Sequence, residues 1–342
     1  MNSVDVIVPC YRYGRFLRES VESVLQQEGV QVRVLIIDDA SPDDTPVVGE
    51  ALAREDARVT FRRHAHNAGH IATYNEGLEW ASADCLLLLS ADDYLLPGAL
   101  KRAVKVLNDH PRMSFVFGEA VLWKHADPRP SVLQENLDNV RVSVMSGTGF
   151  IHKCRAYNLV ATPTAVVRTS AQKKVGGYRE NLTHTGDLEM WWRLAVHGDV
   201  GAIEAKQAVY RRHAGNMSQD YLGVFEIEQR ELAVRSFLEN GGVPANKFSK
   251  IEKTLYRGLA RYTVAWAGGA FIMGDHDMQE KLVRHALSID PGVKYSLSWV
   301  KLTCKKILGR PACLWVLSRF GRSPGPDEMV AARNAVARSQ GR

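Results

Sequence analysis

Two pairs of adjacent aspartates each follow a run of apolar residues: Asp38-Asp39 closes VRVLII, and Asp92-Asp93 stands just beyond CLLLLS. Neighbouring carboxylates repel, and withdrawing them from water at the end of a buried strand is costly unless cations or hydrogen-bond donors meet them. A nucleotide and a divalent metal would supply both. Further along, HTGDLEMWWRL sets Asp187 and Glu189 at the start of an aromatic-rich helical pattern, and YRRHAGNMS gathers Arg211, Arg212 and His213. Carboxylates of this kind can take a proton in catalysis, and a histidine can bind a metal or donate to an oxyanion.

The elements that must position these residues alternate. Val4 to Val8 reads as a strand, and beyond the Tyr13-Gly14 turn Phe16, Leu17, Val21, Val24 and Leu25 share one helical face. Val32 to Ile37 predicts a second strand, Thr45 to Arg54 a helix announced by Ser41-Pro42-Asp43-Asp44, and Val59 to Arg62 a third strand. A helix is expected near Ala68 to Ala81, a strand at Cys85 to Leu89, a helix with Pro97 at its first position reaching Leu107, and a strand at Phe115 to Phe117. This alternation predicts an α/β protein with a mostly parallel sheet flanked by helices. Ligands of such sheets bind beyond the carboxyl ends of the strands, where both aspartate pairs and the PCYRYG turn fall. Neither GxGxxG after the first strand nor GxxxxGK[ST] occurs, which removes the dinucleotide fold and the P-loop. Without a glycine cradle, phosphate charge is met by an oxygen-ligated Mg2+ or Mn2+.

From Asp127 to Thr148 the pattern dissolves into prolines, polar residues and a Gly147-Thr148-Gly149 turn, the signature of a mobile loop over a site. TPTAVVRTS then reads as a strand, Gly176-Gly177-Tyr178 as a turn, Leu188 to His197 as a helix and Ala208 to Tyr210 as a short strand. Everything after RRHAGNMS reads as helical, including a hairpin that turns at Gly274-Asp275. The expected division is residues 1–218, with the sheet and its site, and a helical region 219–342.

A chain of 342 residues with 45% hydrophobic content can bury a full core and an appended smaller unit. No basic-then-apolar leader opens it, no apolar run approaches the ~20 residues of a membrane span, and its five cysteines show no CxxC pair. A reducing cytoplasm is the expected location. The net charge of +6 is uneven: from Lys294 onward ten Lys/Arg face only Asp327 and Glu328, a net +8 that leaves −2 for the preceding 293 residues. That distribution argues against a nucleic-acid partner. The tail interleaves Tyr295, Trp299, Lys301, Lys305, Lys306, Trp315, Arg319, Phe320 and Arg322, which suits peripheral contact with an anionic membrane, or a solvated basic helix packing its tryptophans inward.

Five ordered segments, VDVIVPCYRYGRFLRESVESVLQQ, VRVLIIDDASPDDT, HNAGHIATYNEGLEWA, LLLLSADDYLLPGAL and YRRHAGNMS, resemble the inverting family 2 glycosyltransferases with a GT-A fold, over roughly Val4 to Ser218. The resemblance implies a GT-A-type, Rossmann-like sheet with a C-terminal helical extension. It also implies a metal-dependent, non-processive transfer of a sugar from a nucleoside diphosphate donor, UDP-sugars favoured, to a hydroxyl with inversion. The implied acceptor is a glycan or a lipid-linked intermediate of surface polysaccharide or glycoconjugate synthesis, and oligomerisation stays open. A QxxRW string and membrane helices, which a processive synthase would carry, are not seen.

By that resemblance Pro9, Tyr11 and Asp39 contact the base and ribose, Asp39 accepting from a uracil-like N3–H while Asp38 shapes the turn. Asn67, Gly69 and Asn75 hold the nucleotide side of the donor, Asn75 having the alternative of an ordinary inter-helix amide. Asp92 is assigned to sugar or ribose hydroxyls and Asp93 to the metal, an assignment that can be exchanged, and Asp92 has the alternative of capping the next helix. His213 reaches the metal, which favours Mn2+ over Mg2+, and Arg211 or Arg212 adds charge at the leaving diphosphate. Asp187 takes the acceptor proton, with Glu189 in reserve although it points about 200° away around the helix. Trp191 and Trp192 either stack on a sugar or fill the core. Ser90 stands where the family frequently has aspartate, which keeps open a catalytically impaired sugar- or nucleotide-binding scaffold. A nucleotidyltransferase is the other rival, but PCYRYG is not its usual Gly-rich basic loop.

Overall fold

The computed structural model describes residues 2–124, 127–130, 140–213, 215–216 and 223–319. Two compact units divide the chain: Met1–Phe150 with Val160–Gln219, and Ile151–Leu159 with Asp220–Arg342.

In chain order the first unit holds β1 (Ser3–Cys10), α1 (Gly14–Leu25), β2 (Gln31–Asp38), α2 (Thr45–Glu55), β3 (Val59–Arg63), α3 (His70–Trp80), β4 (Cys85–Leu88), β5 (Tyr94–Leu95), α4 (Ala99–Asp109), β6 (Met113–Lys124) and β7 (Val142–Met145). After α5 (Gly147–Cys154), which crosses between the units, come β8 (Val166–Arg168), α6 (Thr169–Val175), α7 (Gly186–Val196) and β9 (Asp199–Arg212). The sheet has nine strands in the order β3-β2-β1-β4-β8-β6-β9-β5, with β7 added on β9. Its first four strands are parallel, whereas β8 runs antiparallel to both β4 and β6. Val, Ile and Leu fill β1, β2 and β4, which are buried almost throughout, as strands between two helical layers must be. One face of α1 buries Phe16, Leu17, Val21 and Val24 in the core that these strands form.

Departures from the sequence expectations lie in the mixed half of the sheet. β6 and β9 run for 12 and 14 residues, where only short strands at Phe115 to Phe117 and Ala208 to Tyr210 were expected. Their outer parts pair with each other through register shifts and carry Glu119, Glu204, Lys206 and Gln207, polar residues that interrupt the apolar run while hydrogen bonding continues. The expected loop from Asp127 to Thr148 contains β7, which is paired antiparallel with β9, and ends in the first turn of α5; its residues 131–139 lie outside those described. TPTAVVRTS is a 3-10 turn, the three residues of β8 and the start of α6, rather than one strand. Pro97 precedes α4 instead of opening it, because Gly98 turns the chain at φ 72° before the helix begins at Ala99.

The second unit contains α8 (Val224–Asn240), α9 (Ala245–Met273), α10 (His276–Ile289) and α11 (Leu297–Arg319). The expected hairpin is present: Gly274 ends α9 in the left-handed region, and Asp275 caps α10 by accepting the Met278 N–H at 2.9 Å. Residues 151–159 belong to this unit. Ala156 is buried with Ile227, Leu259, Val264 and Leu282, its carbonyl accepts from Arg230 at 2.6 Å, and Gly258 leaves room for its backbone. Gly309 breaks α11 two residues before Pro311, which can neither donate its nitrogen nor fit the preceding turn. No helix among the described residues is long and apolar enough to cross a membrane.

The helix that borders the first aspartate pair approaches the sheet closely. A Cβ on Gly77 of α3 would fall 2.2 Å from Ile7 Cγ2 of β1. Gly77→Ala is therefore expected to destabilise the protein by about 1–3 kcal/mol through overpacking. The check is a lowered denaturant midpoint at unchanged slope; an unshifted midpoint would show slack between α3 and β1.

Candidate active site

The carboxyl ends of β1 and β2 hold two non-glycine residues in the left-handed region, Arg12 at φ 64° and Ala40 at φ 57°. Such strain persists where the surroundings enforce it. The Arg12 N–H donates to Ser41 Oγ at 2.9 Å, and the Ser41 N–H donates to Asp38 Oδ1 at 2.9 Å. Asp38, with Arg63 Nε 3.2 Å from its other oxygen, thus organises the turn. Asp39 lies beyond it and collects donors from the next loop: His64 Nδ1 and the Ala68 N–H each at 2.7 Å on Oδ1, and the Gly69 N–H at 2.9 Å on Oδ2. Gly69 adopts φ 85°, which aims its N–H at the carboxylate as α3 begins. Asn67 bridges the same loop, donating to the Asp39 carbonyl at 3.2 Å and accepting from the Gly69 N–H at 3.1 Å. Pro9 is buried within β1, and Tyr11 is exposed beside the turn.

The second pair is met from the far end of the chain. The carboxylate of Asp93 accepts the Arg211 N–H at 2.9 Å, while Asp92 Oδ2 accepts from Asn216 Nδ2 at 2.9 Å and lies 3.2 Å from His213 Nε2. Burial, and then the charge of Asp92, hold the Asp93 carboxyl well above the usual carboxylate range. The Gly215 N–H donates to His213 Nδ1 at 3.1 Å, so the hydrogen-bond network assigns the proton of a neutral ring to Nε2, facing Asp92. Tyr13 and Phe16 wall the imidazole, with ring centroids at 5.4 and 5.0 Å.

The buried guanidinium of Arg211 donates to the Asp92 carbonyl at 2.8 Å and to Glu19 of α1, and it lies over Phe16 and Trp123 at 4.5 and 4.7 Å. Its contacts fasten the aspartate turn to α1 and β6. Asn216, Glu19 and His64 were missed from sequence: Asn216 sat inside a recognised motif, whereas Glu19 had no signal beyond a polar helix position.

Asp187 is half-buried in the first turn of α7, where the helix dipole favours negative charge. Its oxygens accept from Leu188 N–H at 2.7 Å and Thr162 Oγ1 at 3.5 Å. Glu189 is fully buried, accepts from Arg193 Nε at 2.8 Å and has Arg179 Nε 3.7 Å away. Desolvation pushes its carboxyl up against the opposing effect of Arg193. The two carboxylates therefore face different surroundings. Trp191 and Trp192 are core residues, Trp191 stacking on Phe115 at 5.4 Å.

Asn75 spends its amide on the turn that leads to α7, accepting the Tyr178 N–H at 2.6 Å and donating to the Tyr178 carbonyl at 3.0 Å. A Cβ on Gly177 would lie 2.5 Å from Asn75 Oδ1, which is why the turn needs glycine there. Tyr74, one residue earlier, links the two halves of the site. Burial, then the charges of Asp187 and Asp92, raise the ionisation of its hydroxyl.

Among the described residues no group of three or more His, Cys, Asp or Glu side chains forms a metal cluster. Asp92 and His213 are nevertheless a hard oxygen donor and an imidazole in contact, beside an Asp93 whose carboxyl burial, and then the charge of Asp92, hold well above the usual range. Asp92 can offer an oxygen to a divalent cation whose remaining ligands come from a phosphate-bearing substrate and water, and His213 can join it once an unprotonated ring nitrogen faces the ion.

Residues 5–157 match the model of glycosyl transferase family 2. A Campylobacter jejuni GalNAc(5)-diNAcBac-PP-undecaprenol β-1,3-glucosyltransferase is 30% identical over 128 residues, which are 37% of this chain and 41% of that protein. The structure of S. aureus TarS 1–349 in complex with UDP-GlcNAc superposes with a TM-score of 0.64 at 17% identity, covering 94% of this chain and 93% of the other. The mannosyltransferase PcManGT from Pyrobaculum calidifontis, in complex with GDP-Man and Mn2+, gives a TM-score of 0.56 at 16% identity over 98% of this chain and 85% of the other. The family match spans both aspartate pairs, and the fold around them is that of the GT-A enzymes. Residues 5–157 thus carry a glycosyl transferase family 2 domain, and the chain around it has the fold of solved glycosyltransferases.

Proposed function

We propose that this enzyme moves a sugar from a nucleoside diphosphate donor, UDP-sugars favoured, to a hydroxyl of a glycan or lipid-linked acceptor, with inversion and one residue at a time. The setting would be surface polysaccharide or glycoconjugate synthesis at the cytoplasmic face of a membrane. The observation that carries the reading is Tyr74, a buried tyrosine whose hydroxyl ionisation is raised by burial and then by the charges of both Asp187 and Asp92, so it lies within electrostatic reach of each. That proximity supports a proton acceptor and a charge-binding group acting on one substrate, as displacement from opposite faces of an anomeric carbon requires. The nucleotide-sugar complexes of TarS and PcManGT support the donor class.

In this mechanism Tyr11 and Asp39 hold the nucleoside, with Asn67 and Gly69 fixing the loop that orients Asp39. Asp92 and His213 would hold Mn2+ or Mg2+, which when bound supplies positive charge to the departing diphosphate. Asp92 takes this role over Asp93, because Asp93 is engaged by the Arg211 N–H while Asp92 meets the imidazole. Arg211 acts as a brace for the aspartate turn, which leaves Arg212 as the basic residue for the leaving group. The acceptor oxygen attacks the anomeric carbon as Asp187 takes its proton. The bond to the diphosphate breaks with its electron pair leaving on the phosphate oxygen.

Membrane contact has its own support in α11 and the residues before it. Tyr295 is 93% exposed, Ile307 80% and Trp315 63%, with Leu297, Val300 and Leu308 also at the surface. Between Asp290 and Asp327 the chain has seven Lys/Arg and no acid, though residues 320–342 lie outside those described. Exposed apolar and aromatic side chains among basic ones match an anionic lipid surface, where the apolar groups insert and the cations meet headgroups.

Asp187→Asn should lower Mn2+-supported transfer, or donor hydrolysis, about 10²–10⁴-fold with donor KM little changed, measured on a nucleotide-sugar panel; an undiminished rate would remove the base assignment. Glu189→Gln should instead lower thermal stability and spare the rate of the folded fraction, because it weakens a buried ion pair. Asp92→Ala should abolish the Mn2+-dependent thermal shift given by UDP while Asp93→Asn keeps it, and the opposite order would return the metal to Asp93. The full-length protein should sediment with vesicles of anionic phospholipid, not with zwitterionic ones. Ile307→Glu should release it, and equal sedimentation of that variant would refute the lipid surface.

A further inference from the structure

We propose that His64 decides which nucleobase Asp39 accepts, by permanently occupying one of the two carboxylate oxygens. The inference rests on Asp39 being the nucleobase contact. His64 follows β3 directly, and its backbone N–H donates to the Asp38 carbonyl at 2.9 Å, so the ring is fixed to the sheet edge. Nδ1 lies 2.7 Å from Asp39 Oδ1 and Nε2 2.8 Å from Glu76 Oε2 on α3. The other oxygen of Glu76 accepts from Arg62 at 3.0 Å. Two carboxylates on the two ring nitrogens require two donated protons, and only an imidazolium has both. Burial alone would favour the neutral ring, but the bonds to Asp39 and Glu76 reverse this and raise His64 above its ordinary 6.5.

Acceptor capacity then limits recognition. Oδ1 of Asp39 is filled by His64 and the Ala68 N–H, and Oδ2 already takes the Gly69 N–H, so one lone-pair position remains. Uracil and thymine present one N–H on their pairing edge and match it. Guanine presents two adjacent donors and calls for both oxygens, leaving one donor unpaired. Adenine and cytosine place a ring-nitrogen acceptor beside their amino group, facing the carboxylate. His64 is thus a positioning residue that converts a bidentate acceptor into a single one.

The other charged groups around the ring are the Asp38–Arg63 pair, the Arg62 side chain behind Glu76, and His70 at the start of α3, whose own ionisation burial lowers. Once His64 loses a proton it can donate to only one of its two carboxylates. Selection is therefore expected to weaken as pH rises through the elevated value.

The test is calorimetric binding of UDP and of GDP, with Mn2+, to the full-length protein between about pH 6 and 8.5, the range in which imidazoles titrate. Wild type should prefer UDP, and His64→Ala should lower the UDP-to-GDP affinity ratio about tenfold, the scale of one charge-assisted hydrogen bond. Glu76→Gln keeps the ring and provides the second variant. Its imidazole 15N resonances should titrate at lower pH, and the loss of selection should move with them. A wild type that binds neither nucleotide would overturn the nucleobase role of Asp39, and this proposal with it. A wild type that prefers UDP, with the ratio and its pH profile unchanged in both variants, would overturn the role of His64 alone.

Discussion

Buried negative charge governs this molecule. Four aspartates stand along one edge of the sheet, Asp38 at 0%, Asp39 at 4%, Asp92 at 4% and Asp93 at 2% exposure, and each withdrawn carboxylate must find donors. The local backbone answers that demand. Ala40 and Gly69 sit in the left-handed region, α3 starts where the Gly69 N–H can reach Asp39, and β9 runs to Arg212, bringing the Arg211 N–H to Asp93.

The two pairs are compensated to different degrees, and the difference separates their roles. Asp38 and Asp39 have Arg63, His64 and three backbone N–H donors around them, a cradle assembled from the protein's own groups. Asp92 and Asp93 are served by neutral amides and an imidazole, while the Arg211 guanidinium beside them is shared with Glu19. Burial and mutual repulsion hold Asp93 high, so this end of the site still draws positive charge. One end is compensated from within the protein, and the other less completely.

What the sequence revealed follows the same physics. β1, β2 and β4 were legible because strands buried on both faces need unbroken Val, Ile and Leu, and the aspartates after them contrasted sharply. β6, β7 and β9 were not, because β7 is only four residues long and polar residues interrupt the apolar runs of β6 and β9 while backbone pairing continues. Motif position located Asn75 and Arg211, but not the partners of an amide or a guanidinium. Asn75 closes a turn on Tyr178, 103 residues away in sequence, and Arg211 braces a loop through Glu19, 192 residues away. Such partners are set by topology, which composition and spacing do not encode. Asp187 and Glu189 were separated correctly by helical geometry, since two residues on a helix turn a side chain away from its neighbour.

The path of residues 151–159 has a consequence for where the chain can be divided. The first unit is interrupted after Phe150 and resumes at Val160, and Ala156 of the strip between them is buried among α8, α9 and α10 of the second. The family match ends at residue 157, inside that strip. A fragment ending near residue 219 would carry Ala156 without the helices whose core it joins. A cut at residue 219 is thus not a clean division: the second unit's core includes a residue that the chain supplies before the sheet is complete.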